Sequence, residues 1–90
     1  MARLEQTFLI VNTLGLHARA AAQLVQTANR YKADVHVEKD GMEVNGKSIM
    51  GVLTLAAAKG TQIVVSCEGE DADAAMASLA TMIENGFGEK

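Results

Sequence analysis

Ninety residues suffice for one domain, expected to span 1–90, and leave no room for a second core. A composition 49% hydrophobic and 21% charged, with neither proline nor tryptophan, excludes the disordered and fibrous classes. A net charge of −3 with dispersed Lys and Arg argues against a nucleic-acid partner, while a single cysteine, no signal peptide and no apolar run of membrane-spanning length point to a cytoplasmic chain without membrane insertion.

Residues 5–12, EQTFLIVN, are β-rich, and alternation puts Phe8 and Ile10 on one face and Thr7, Leu9 and Val11 on the other. From Leu16 to Tyr31 the set Ala20, Ala21, Leu24, Val25, Ala28, Tyr31 keeps helical spacing, which predicts an amphipathic helix. Two short strands come next, Asp34–Glu38 and Met42–Val44, joined as a hairpin by Asp40-Gly41. Lys47 to Leu55 reads as a short helix with Ser48 as N-cap and with Ile49, Val52 and Leu53 on a shared face. Thr61 to Gly69 is a strand in which Cys67 continues the alternation of Ile63 and Val65, favouring core packing over a thiol nucleophile. His36, inside another strand, belongs on an exposed sheet face. After Gly69, acidic residues open a last helix with the stripe Ala72, Ala75, Met76, Leu79, Met82, Ile83, and Gly86 stops it. The order βαββαβα predicts an α+β fold, a mainly antiparallel sheet with three helices on one face and the other face partly open. Pattern alone does not separate this from a ferredoxin-like strand order.

The segment Gly15-Leu16-His17-Ala18-Arg19-Ala20-Ala21-Ala22 starts a helix with none of the usual capping residues. Its first-turn amides, those of Ala18 and Arg19 among them, are then free for an anion, which the helix dipole also favours. Neutral imidazole is a competent nucleophile toward phosphorus, and the Arg19 fork matches adjacent phosphoryl oxygens. His17 and Arg19 are therefore candidates for accepting, holding and releasing a phosphoryl group. A histidine beside an arginine is more often an ordinary surface or capping pair, so the residues alone leave both readings open. No Walker loop, metal-ligand cluster or Ser/His/Asp arrangement competes, and no cofactor is called for.

GLHARAAAQLVQTA resembles the active-site segment of the HPr family, the histidine-containing phosphocarriers of the bacterial phosphoenolpyruvate-dependent phosphotransferase system, and GKSIMGVLTLAAAKG resembles that family's second signature. The resemblance covers nearly the whole chain. It implies an open-faced β-sandwich with sheet order 1-4-2-3. It also implies a carrier rather than an enzyme: His17 phosphorylated on Nδ1 by enzyme I, passing the group to an enzyme IIA domain, with Arg19 as the active-site arginine. Ala20 departs from the family, which usually has proline there. Alanine fits the helix but leaves the site less rigid, so slower transfer is expected.

By the same resemblance Ser48 is a regulatory phosphorylation site for an HPr kinase/phosphorylase, a role compatible with N-capping. A phosphate there adds about −1.5 to −2 charges and would repel an acidic partner surface. Lys47, Ile49, Met50 and Ala20 are the expected partner contacts, with Ile49 and Met50 divided between core and surface. VNTLGLHAR and NGFGEK look like the family's nitrogen-related branch, whereas the Ser48 segment looks like the serine-regulated sugar branch. The contrasting reading is a regulatory module that docks a partner or a small anion without transferring anything.

Overall fold

A computed structural model describes residues 3–89. Strand β1 (Arg3–Leu9) pairs antiparallel with β4 (Gln62–Glu68), β4 pairs with β2 (Asp34–Lys39), and β2 with β3 (Met42–Asn45), giving the order β1-β4-β2-β3. The β2–β3 hairpin turns on Asp40 and Gly41, both at positive φ (52° and 84°), as a two-residue turn matched to strand twist requires. Helices α1 (Ala18–Ala28), α2 (Ile49–Thr54) and α3 (Ala72–Glu84) complete the expected βαββαβα order.

Phe8, Val35, Val37, Ile63, Val65 and Cys67 present one face of the sheet to the helices and are all buried. Against them pack Leu24 and Val25 of α1, Val52 of α2, and Leu79 and Ile83 of α3. Each fully buried aliphatic side chain contributes about 1.5–3 kcal/mol. Ala20, Ala21 and Ala28, also buried, let α1 approach closely. The Cys67 thiol is pushed up from its ordinary pKa by burial and then by the Asp71 charge, which disfavours the thiolate a nucleophile needs.

The other face is open. Glu5, Ser66, His36 and Asn45 lie in register across it, and the Arg3 guanidinium reaches over the strands to Glu43 Oε2 (2.8 Å), Ser66 Oγ (3.1 Å) and Glu5 Oε2 (3.2 Å).

Several boundaries differ from the sequence reading. β1 begins at Arg3 and ends at Leu9; Ile10 keeps backbone bonds to residues 60 and 61, but Val11 and Asn12 have left the sheet. α1 is shorter at both ends, because Asn29 closes it with a side-chain bond from Nδ2 to Val25 O (2.9 Å); Tyr31 lies beyond, its hydroxyl bonded to Ser78 Oγ. In α2 only Val52 is buried, while Ile49 is exposed, since six residues make too little helix to bury a full stripe. Asp71 stands at the N-cap position of α3 without capping it. Its carboxylate accepts instead from Lys32 N and Ala33 N (2.8 Å each), which holds its pKa below the ordinary carboxylate range and ties the α1–β2 loop to the start of α3.

Candidate functional site

The entry to α1 is built by Gly15. At φ +67°, a Cβ there would meet Ala57 O at 2.5 Å and Ala58 Cα at 2.9 Å, so only glycine lets the chain pass this close to the α2–β4 loop. Leu16 N then donates to Ala57 O (2.8 Å), and the chain arrives extended at His17 (φ −74°, ψ −179°). His17 is itself the N-cap: Nδ1 accepts from Arg19 N at 3.3 Å. The helix start that looked uncapped in sequence is thus capped by its own imidazole, and the Arg19 amide is not free.

The other ring nitrogen, Nε2, lies 2.5 Å from Glu89 Oε2. Glu89 arrives there because Gly86, Phe87 and Gly88 all adopt positive φ (62°, 56° and 76°) and turn the chain back after α3. Phe87, 5% exposed, anchors this turn in the core. A left-handed conformation is costly for a bulky residue and persists only where surrounding packing fixes it.

Asn12 completes the cluster. Its Nδ2 donates to Gly15 O (2.7 Å) and to Glu89 Oε2 (3.2 Å), and Leu14 N approaches Glu89 Oε1 (3.5 Å). Both neighbours of the amide are acceptors, so its NH2 group must face them, and Oδ1 is buried without a partner among the described residues. The His17 bond, with those from Asn12 and Leu14 behind it, holds Glu89 below the ordinary carboxylate range despite opposing desolvation. The imidazole tautomer is fixed by the same logic. Nδ1 faces an N–H and must carry the lone pair; Nε2 faces a carboxylate and must carry the proton.

Thr13, Leu14, His17, Ala18, Arg19, Gly88 and Glu89 line a shallow depression around the ring. The Arg19 side chain is exposed and makes no ion pair among the described residues, so its fork is available to a ligand. Leu14, 66% exposed, gives the rim an apolar edge.

Ala20 is 0% exposed and cannot be a partner contact: it packs inward from the first turn of α1. Lys47 turns back to donate from Nζ to Tyr31 O (2.7 Å) rather than outward. Ile49 and Met50 do not divide between core and surface; both are exposed, at 42% and 77%. Ser48 Oγ accepts from Gly51 N (3.1 Å), the expected N-cap, and none of residues 47–50 lines the depression around His17. Asn12, Leu14 and Glu89 were missed in sequence. Asn12 was read as the last residue of the first strand, Leu14 lay in the connection after it, and Glu89 came after a helix stop with no periodicity to place it.

A family model described as PTS HPr component phosphorylation site matches residues 4–85. The phosphocarrier protein HPr of Neisseria meningitidis serogroup A is 50% identical over 86 residues, covering 96% of this chain and 97% of the relative; that of Xylella fastidiosa strain 9a5c is 49% identical with the same coverage. An HPr crystal structure from Thermoanaerobacter tengcongensis superposes with a TM-score of 0.93 at 45% identity, covering 97% of this chain and 98% of that one. Together with the β1-β4-β2-β3 sheet under three helices, this likeness along almost the whole chain makes it a member of the HPr family of phosphotransferase-system phosphocarriers.

Proposed function

We propose that His17 accepts a phosphoryl group from phosphorylated enzyme I and passes it to an enzyme IIA domain, the chain acting as a carrier and not as a catalyst. The observation that carries this reading is the Nδ1 lone pair held at a helix N-terminus, with the Arg19 guanidinium, which makes no ion pair among the described residues, beside it. In the transfer, the Nδ1 lone pair attacks phosphorus, the N–P bond on the donor histidine breaks, and that bond's electron pair returns to the donor ring. The Arg19 N–H, which points at Nδ1 beforehand, then faces the phosphoryl oxygens, together with the amide of Ala18 and the Arg19 fork. Passage to the acceptor repeats the step with roles exchanged. Ala20, where relatives of the family usually carry proline, leaves this first turn less rigid and the transfer slower.

Ser48 is proposed as a regulatory site for an HPr kinase/phosphorylase. Its phosphate would keep the capping role at α2 and act by repelling an acidic partner surface beside exposed Ile49 and Met50. Whether the carrier serves sugar uptake or the nitrogen-related branch turns on the identity of its acceptor.

Incubation with labelled phosphoenolpyruvate and enzyme I tests the reading. One acid-labile phosphoryl group per chain, mapped to His17 and abolished in His17→Ala with the fold intact, is expected. Absence of label on the wild-type chain, or label that survives His17→Ala, overturns it in favour of a docking module.

A further inference from the structure

Glu89 takes no part in the bond changes of the transfer, although it makes the shortest contact in the site. The carboxylate is not there by accident of a loose tail. Three consecutive left-handed residues and the buried Phe87 deliver it, and Asn12 and Leu14 N hold it from behind. Among the described residues, Asn12 leaves its own Oδ1 unpartnered in the interior while it does so. Burying an unpartnered amide oxygen costs free energy, and the Asn12 side chain that bears this cost also donates to Gly15 O.

The chemistry of phosphoryl transfer gives that arrangement a purpose. Histidine has two neutral tautomers, and only the one with its proton on Nε2 exposes a lone pair at Nδ1. As the N–P bond forms at Nδ1, the ring takes up positive charge, and the proton it retains is again the one on Nε2. A carboxylate at Nε2 therefore favours the reactive tautomer before the step and opposes the developing charge during it, as carboxylates do behind catalytic and metal-bound histidines. The balance requires nothing further: one N–P bond breaks, one forms, and the Nε2 proton stays where it is.

We infer that Glu89 is a positioning residue for phosphoryl transfer, fixing His17 as the Nε2–H tautomer and stabilising the ring as Nδ1 bonds to phosphorus. This role rests on the phosphocarrier function proposed for His17, and its failure is distinguishable from the failure of that function. The arrangement also makes the turn at residues 86–88 part of the active site rather than a frayed end of α3.

The test measures the 15N chemical shifts of the neutral His17 ring, and the rate of labelling by phosphorylated enzyme I, in wild type, Glu89→Ala and Glu89→Gln. The wild-type ring is expected to be dominated by the Nε2–H form, and Glu89→Ala to show mixed tautomers. Labelling by saturating donor is expected to slow on the order of 10-fold in Glu89→Ala, the lower end of what losing a carboxylate behind a functional histidine costs, with the KM for the donor unchanged. Glu89→Gln, which keeps an acceptor oxygen but no charge, is expected to fall between. Unaltered tautomers in Glu89→Ala, or labelling at the wild-type rate in either variant, overturns the inference. A wild-type chain that shows the Nε2–H form yet takes no label refutes the phosphocarrier reading instead, and the positioning role falls with it.

Discussion

Gly15 is the residue on which the site's geometry depends most directly. Its positive φ and the 2.5 Å approach to Ala57 O act together: alanine at this position is strained in its backbone and also drives a methyl group into a carbonyl that holds Leu16 N. Gly15→Ala is expected to destabilise the fold by about 2–4 kcal/mol, combining the left-handed penalty with one lost hydrogen bond. Urea unfolding measures this, and a loss under about 1 kcal/mol would mean the α2–β4 loop yields more easily than its packing indicates. His17 illustrates a different lesson at this scale. The absence of Ser, Thr, Asp or Asn at the start of α1 was legible, but that the imidazole itself fills the cap was not, because the cap depends on a side-chain rotamer and not on residue type.

Among the elements, α2 is the one whose stability rests on its cap. Six residues with only Val52 buried gain little from packing, and helices this short are marginal in isolation. Ser48→Ala removes the bond to Gly51 N and is expected to cost about 1 kcal/mol, read from the thermal or urea midpoint, whereas Ser48→Asp, another good cap, should leave the midpoint near wild type. A Ser48→Asp chain that unfolds as readily as Ser48→Ala would argue that a phosphate acts at this position by melting α2 rather than by repelling a partner. Strands and helices were legible almost throughout, since Phe8/Ile10, Val35/Val37 and Ile63/Val65/Cys67 alternate cleanly and the α3 stripe keeps its period. The ends were less so. Asn29 stops α1 short of Tyr31 through a local side-chain bond, and the 86–88 turn depends on backbone angles that Gly-Phe-Gly permits without dictating.

For the molecule as a whole, two carboxylates connect parts of the chain that are distant in sequence. Asp71 joins the start of α3 to residues 32 and 33, and Glu89 joins the tail to residues 12, 14 and 17. Both have pKa values lowered in the fold, Asp71 mainly by the Lys32 amide and Glu89 mainly by His17, from ordinary values of 3.8 and 4.5. A carboxyl group with a depressed pKa in the fold contributes stability that is present above its unfolded value and is lost as pH falls through the folded one. Stability is therefore expected to hold from neutrality down to about pH 4.5 and to fall below it, with Asp71→Asn flattening part of that acid limb. Urea midpoints across about pH 2–7 measure this; a limb unchanged in Asp71→Asn would assign the acid sensitivity to other groups. None of this long-range wiring was visible in the sequence, where Asp71 was simply an acid near a helix start and Glu89 a residue past a stop.

The direction of β1 also fixes where a group attached to the fold would emerge. β1 runs from Arg3 toward the Asn12–His17 segment, so a group joined ahead of Arg3 departs about 20 Å from the end of the strand that leads to the His17 ring, at roughly 3.3 Å per residue. A group joined beyond Glu89 departs instead from the mouth of the depression around His17. A purification handle or fluorophore on that side would sit where the proposed transfer to and from His17 requires a partner to approach, and one placed ahead of β1 would leave that approach clear.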